Sequence, residues 1–294
     1  MENNRIEVNI QANAKINLML DILGKRENGY HDLFMVMQTV SLYDEVSVCK
    51  DKQIKVLCDV SEIPADKSNT AYKAAEGFFE YTGITGGACV KIKKKIPFAA
   101  GLAGGSADAA AVIKGLNELY ETDLTAQQMC QIGVKVGADV PFCIMGGTRI
   151  CTGIGEKMEL IRPLKSCYIL LAKPNFGVST AQAYAEFDKH GYRRKPDKKG
   201  IVRAIKLGDL KETARLCENV FEQFIDVPQR AEIKSIMRKN GAVGSCMSGS
   251  GPTVFGIFES VEGARKSQEE ISRFCDEVFI TTPVWRACLT DSER

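Results

Sequence analysis

The sequence predicts an α+β protein of two domains, residues 1–162 and 163–294. Three observations carry that prediction. Apolar and polar residues alternate through Arg5-Ile-Glu-Val-Asn-Ile-Gln-Ala12 and on to Ile22, the pattern of a half-buried strand. Helical spacing appears later, with Ala109, Ile113, Leu116 and Tyr120 at intervals of four, three and four. Arg162-Pro163 then breaks the chain before a second apolar strand, Tyr168-Ile-Leu-Leu-Ala172. A length of 294 residues accommodates two domains of ordinary size.

Composition narrows the class. Hydrophobic residues make up 45% and charged residues 26%, as in a soluble globular protein. A formal charge of +2 argues against a broad nucleic-acid footprint, so no nucleic-acid partner is expected. No apolar run reaches the ~18 residues of a membrane span. The first residues show neither a signal-peptide core nor transit character, and a cytoplasmic protein is expected. Eleven cysteines are scattered, with no C-x-x-C pair, which predicts buried free thiols rather than a metal centre or disulfides. Only His31 and His190 are available, so a histidine-based metal site is not expected.

Taken in order, the first strand places Ile16, Leu18, Leu20 and Ile22 on one face and Lys15, Asn17 and Asp21 on the other. Lys15 and Asn17 can then project at one ligand, or simply form a solvated face. Gly24 to Gly29 is a turn, and Tyr30-His31 at its exit suits either base recognition or plain packing. Residues 33–48 are apolar-rich and end as a strand, and Ile54–Val60 predicts the second strand of an antiparallel pair. Asn69 or Thr70 caps a helix, and Val90, Ile92 and Ile96 mark a strand.

That strand leads into Pro97-Phe-Ala-Ala-Gly101-Leu-Ala-Gly-Gly-Ser106 and a helix. Strand, glycine loop and helix start form a phosphate-binding arrangement, because glycines admit an anion close to backbone N–H groups. The alternative is a tight turn with Ser106 as a helix N-cap. The loop lacks the Walker A lysine and does not fit G-x-G-x-x-G. Thr125 and Gln128 have capping-box spacing for a helix ending at Gly137. Asp139, between Gly-Ala and Val-Pro, is either a helix cap or a catalytic group. Glycines 146, 147, 153 and 155 punctuate a hairpin.

In the second half, Ser179 or Thr180 caps a helix over 181–187. The basic run 189–206 is expected as a solvated loop in preference to an RNA contact. Helical periods cover 209–225 and 228–239. Gly244–Phe258 is a second Gly/Ser loop entering a strand, followed by a helix over 262–274 and a strand over 278–283.

Three separated segments resemble the GHMP small-molecule kinases: Ala14-Lys15-Ile-Asn17-Leu, Pro97 to Ser106, and Ser248-Gly-Ser-Gly-Pro-Thr253. Gly24-Lys-Arg-x-x-Gly29-Tyr30-His31, Met37-Gln38-x-Val-x-Leu42-Tyr-Asp44 and Gly137-Ala-Asp139-Val-Pro141-Phe are similar to the diphosphocytidyl-methylerythritol kinases among them. The departures are Phe98 where Met is commoner, and Cys151-Thr-Gly where Ala-x-Gly is usual.

The resemblance implies an N-terminal ribosomal-S5-domain-2-like domain and a C-terminal ferredoxin-like α/β sandwich. It implies ATP held by Pro97, Ala99, Ala100, Gly101, Leu102, Ala103, Gly104, Gly105, Ser106 and Ala107, with Mg²⁺ on its phosphates and Ser106 as protein contact. Asp139 becomes the general base, and Lys15 keeps it charged and stabilises the transferring phosphoryl group. Tyr30 and Tyr184 sandwich a cytosine, His31 bonds its edge, and Asn17 and Thr180 hold the polyol or diphosphate. The implied partner is a small molecule, a cytidyl diphosphate sugar-alcohol phosphorylated on its 2-hydroxyl in isoprenoid biosynthesis, with the chain a monomer or homodimer. Two alternatives stay open: another kinase of the same superfamily, of homoserine or mevalonate type, or a catalytically silent nucleotide-binding homologue.

Overall fold

The computed structural model describes residues 7–286 and 288–290. Arg5 and Ile6, where the first strand was expected to begin, lie outside the described residues. The N-terminal half runs β1 (Glu7–Lys25), β2 (His31–Asp51), β3 (Lys55–Cys58), α1 (Thr70–Thr82), β4 (Gly87–Lys93), α2 (Gly104–Leu119), α3 (Ala126–Val136), α4 (Val140–Met145), β5 (Thr148–Gly153) and β6 (Lys157–Leu160). The C-terminal half runs β7 (Tyr168–Lys173), α5 (Thr180–His190), α6 (Lys198–Leu207), α7 (Leu210–Arg215), β8 (Glu218–Asn219), α8 (Arg230–Lys239), β9 (Gly244–Met247), β10 (Val254–Phe258), α9 (Val261–Ile271), β11 (Glu277–Thr281) and β12 (Leu289–Thr290).

β1 and β2 form a long antiparallel hairpin at the centre of the first sheet, whose order is β12-β1-β2-β4-β3. Farther along, β2 pairs with β5, which carries β6, and β8 joins β1 in parallel. The second sheet is antiparallel, in the order β11-β7-β10-β9. Ile233 and Met237 of α8 and Ala264 and Ile271 of α9 pack with Leu170, Ala172, Val254 and Phe258 of this sheet. Helix α2 presses onto the first sheet so closely that a Cβ on Gly115 would lie 2.6 Å from Ile10 Cδ1. Its alanines and Ile113 and Leu116 are buried among β1 and β2 side chains. The expected mixture of strands and helices, with sheets in both halves, is what the chain builds.

Several local expectations are corrected. Asn17 pairs with Met37 and Met19 with Val36, so Leu18 is an extra residue in a β-bulge. The bulge resets the alternation. Ile16, Leu18 and Met19 enter the main core, whereas Leu20 shares the cleft wall with Lys15 and Asn17. Asp21 is thereby separated from those two polar residues. It is wholly buried and accepts from Tyr192 Oη and Lys198 Nζ, both at 2.8 Å.

β3 pairs in parallel with β4 and not antiparallel to β2, because β4 lies between them. The basic run is not all loop: Asp197 caps α6 from Lys198 onward. The helical span 209–225 breaks after α7, where Asn219 donates to the Met247 and Gly249 carbonyls and the chain lies beside β1. Of the alternative caps, Asn69 caps α1 and Ser179 caps α5. Seven of the cysteines are buried, and four, Cys58, Cys89, Cys130 and Cys217, are only half-buried where burial was expected.

Candidate active site

A cleft of about 1010 Å³ gathers residues from both halves of the chain. One wall is the glycine loop. Gly101 sits at φ +72°, and a Cβ there would fall 2.1 Å from the Ser248 carbonyl oxygen. Only glycine permits that approach. The Lys15 amide donates to the Leu102 carbonyl at 3.1 Å, and the Ser248 hydroxyl donates to the Gly101 carbonyl at 2.9 Å. The second Gly/Ser loop therefore braces the first from behind, and Gly249 and Ser250 reach the cleft as well.

Helix α2 begins at Gly104, with Ala103 in the left-handed region and no side chain capping it. Ser106 is thus inside the first turn and is not the N-cap. The Ala107 amide bonds the Ala103 carbonyl, which leaves the Gly104, Gly105 and Ser106 amides to a ligand or solvent. Pro97, Ala99, Ala100, Gly101, Ala103, Gly104, Gly105 and Ser106 line the cleft, while Leu102 and Ala107 turn into the core.

The opposite wall starts at β1. Lys15 is buried, and its ammonium donates to Asn17 Oδ1 at 2.7 Å and to the Gly101 carbonyl at 3.1 Å. The same ammonium lies 3.5 Å from Asp139 Oδ2. Asp139 occupies the N-cap position of α4, yet its side chain makes no capping bond. Its carboxylate is 31% exposed and faces Lys15 across the cleft. Of its two expected roles, the helix position is occupied without the hydrogen bond that capping supplies.

The far end of the cleft is aromatic. Tyr184 lies on α5, with its ring edge-on to Phe221 at 5.1 Å. Burial, with the Asp139 charge adding to it, pushes its phenol up to about 12, so the hydroxyl keeps its proton. His31 stacks on Tyr184 at 4.7 Å and 18°. Tyr30 stands on the rim, 59% exposed. Thr180 shares a 3.0 Å hydrogen bond with Ser250 and lines the same cleft. All seven expected catalytic and substrate residues thus border one cavity. The contact between the rings is the departure: His31, and not open space, meets a face of Tyr184.

The sequence missed a second ionic cluster. Lys94 Nζ reaches Asp44 Oδ2 at 2.5 Å and Asp108 Oδ2 at 2.6 Å, and all three side chains are buried. Asp44 Oδ1 also accepts the Lys95 and Ile96 amides, fixing the entry to the glycine loop. Burial pushes the Asp108 carboxyl up to about 8 against the pull of Lys94. Lys94 itself is held above its ordinary value, because the two carboxylates outweigh its burial. The signal is parity: Val90, Ile92, Lys94 and Ile96 share one phase, so Lys94 occupies an inward position on the strand's apolar face.

Among the described residues no group of three or more His, Cys, Asp or Glu side chains could hold a metal ion. The donors present fit a cation carried mainly on nucleotide oxygens. Ser106 Oγ, which a Cβ on Gly137 would meet at 3.8 Å, faces the loop that bears Asp139. Among the described residues no helix is long and apolar enough to cross a membrane.

The GHMP kinases N terminal domain family matches residues 69–147, and the GHMP kinases C terminal family matches residues 201–277. A 4-diphosphocytidyl-2-C-methyl-D-erythritol kinase of Clostridium acetobutylicum is 42% identical over 94% of this chain and 100% of its own. One from Caldicellulosiruptor bescii is 44% identical over 93% and 97%. The crystal structure of a 4-(cytidine 5'-diphospho)-2C-methyl-D-erythritol kinase superposes with a TM-score of 0.78 at 29% identity, covering 94% of this chain and 98% of that one. A homoserine kinase from Cytophaga hutchinsonii also reaches 0.78, at 18% identity over 99% of both chains, a likeness of fold alone.

Proposed function

The chain belongs to the GHMP kinases, in the 4-diphosphocytidyl-2-C-methyl-D-erythritol kinase family, and is an ATP-dependent small-molecule kinase; from that premise we propose that it phosphorylates the 2-hydroxyl of the cytidyl diphosphate sugar-alcohol itself, with Asp139 as general base and Lys15 as charge stabiliser. The observation that carries this assignment is the meeting of Lys15 and Asp139 at 3.5 Å, in a cleft that also holds the uncapped start of α2 and an aromatic end.

Phosphoryl transfer needs placement and charge stabilisation more than covalent chemistry. Nucleotide phosphates bind against the free amides at Gly104, Gly105 and Ser106, where the helix dipole favours anions. Pro97, Ala99, Ala100, Gly101 and Ala103 shape the approach, with Leu102 and Ala107 anchoring the loop in the core. Mg²⁺ on the nucleotide would neutralise phosphate charge, with Ser106 supplying a hydroxyl. The cytosine lies at Tyr30, His31 and Tyr184, and Asn17 and Thr180 hold the polyol or diphosphate.

The acceptor is a tertiary alcohol, hindered and weakly acidic. Asp139 takes its proton as the oxygen attacks the γ-phosphorus and the bond to the β,γ-bridging oxygen breaks, releasing ADP. The reacting atoms must be held at about 3 Å for this to proceed. Lys15, fixed by Asn17 and Gly101, places its ammonium where the transferring group gathers charge. The missing Walker lysine is replaced from β1.

The test is a substrate panel. Purified protein with ATP and Mg²⁺ is offered the cytidyl compound, mevalonate and homoserine in parallel, and ADP release is measured. Turnover confined to the cytidyl compound is expected. Turnover of mevalonate or homoserine alone would overturn the assignment, and turnover of none would favour a nucleotide-binding homologue without catalysis.

A further inference from the structure

His31 is held by a residue that no motif singles out. Asp188 lies four residues after Tyr184 on α5, so the two share a helix face. Its Oδ1 is 2.6 Å from His31 Nε2, and its Oδ2 accepts from Lys25 Nζ. Asp188 thus reaches from the C-terminal half to both strands of the β1–β2 hairpin. Hydrogen bonds from Lys25 and then His31 hold its carboxyl below the usual range, so it is an ionised group that can only accept. The proton between Asp188 and His31 therefore belongs to Nε2.

The ring plane is fixed too. His31 is buried, stacked on Tyr184 and edge-on to Phe187 at 6.5 Å and 86°. No other hydrogen bond to the ring is formed among the described residues. With Nε2–H committed to Asp188, a neutral imidazole presents Nδ1 as an acceptor. The ring borders the cleft.

We propose that Asp188 is a positioning residue for pyrimidine choice: by taking the Nε2 proton of His31 it leaves Nδ1 to accept from an exocyclic amino group, which cytosine has and uracil lacks. Uracil would set a carbonyl oxygen against a lone pair, and both would be left unpaired away from water. The inference rests on the cytidyl assignment made above, which supplies the base at this end of the cleft.

The experiment measures kcat/KM of the full chain for the cytidyl substrate and its uridyl analogue at about pH 8, together with the ¹⁵N shifts of His31. In Asp188→Ala the cytidyl preference falls about tenfold or more, and the two ring nitrogens lose their separate protonated and unprotonated signals. Asp188→Asn keeps the preference, because an amide oxygen still accepts the Nε2 proton, and Lys25→Met keeps it because Asp188 remains. An unchanged preference in Asp188→Ala, or a wild-type His31 carrying its proton on Nδ1, would overturn the inference alone. A wild-type chain that turned over neither compound would overturn the cytidyl assignment and this inference with it.

Discussion

Lys15 with Asp139 and Lys94 with Asp44 and Asp108 use the same residue types beside the same glycine loop, in opposite settings. The Lys94 cluster is buried throughout, with contacts of 2.5 and 2.6 Å. Asp44 also holds the Lys95 and Ile96 amides at the loop entry, so the cluster ties the end of β4 to α2. The Lys15 pair is longer, at 3.5 Å, and its carboxylate is 31% exposed to the cleft. One cluster sits at the cleft wall with its side chains almost fully buried, and fixes geometry. The other leaves an acceptor facing the space where a substrate hydroxyl would sit. Under the proposed function, the looser and more exposed pair is the one placed to take a proton, and the short, buried pair holds the loop that faces it.

The comparison breaks most visibly in folding. Lys94→Met strands the buried Asp44 carboxylate and removes the partner of Asp108, and a loss of about 3–5 kcal/mol of stability is expected in denaturant titrations. Lys15→Met leaves Asp139 partly solvated, so a much smaller loss of stability is expected. Its effect falls on catalysis, with kcat reduced about 10²–10³-fold at saturating ATP in steady-state assays. Equal destabilisation by the two substitutions would erase the distinction.

The smallest effect concerns pH. Burial pushes the folded Asp108 carboxyl up to about 8, against about 3.9 for an aspartate in the unfolded chain. Between those limits the folded state holds a proton that the unfolded state has released. The contribution of Asp108 is therefore fully present below about pH 4 and declines as pH rises towards about 8. Asp108→Asn removes the titration. Thermal midpoints measured across this range should fall less steeply with pH in the variant than in the wild type, and parallel slopes would contradict the assignment.

Much of the cleft was legible in the sequence because its parts are local. The strand–glycine loop–helix order and the isolated Asp139 each announce themselves within a few neighbours, as does the capping box at Thr125 that starts the helix leading towards Asp139. What escaped was set by long-range pairing. The bulge at Leu18 depends on how β2 lies beside β1, and it moves Leu20 to the cleft and Asp21 away from it. Parallel pairing of β3 with β4 depends on β4 taking the place next to β2. Lys94 and Asp44 lie fifty residues apart, and only the folded sheet joins them. Asp188 falls just beyond the helix expected over 181–187, and only the folded chain sets it against the hairpin that carries His31.

The most direct measurement is made on Asp139→Asn. With the carboxylate replaced by an amide of the same shape, phosphoryl transfer to the cytidyl substrate is expected to fall about 10²–10⁴-fold. ATP affinity and thermal midpoint should stay near those of the wild type. Transfer at close to the normal rate in that variant would remove Asp139 as the base, because the proton would then have to leave by a route that does not pass through it.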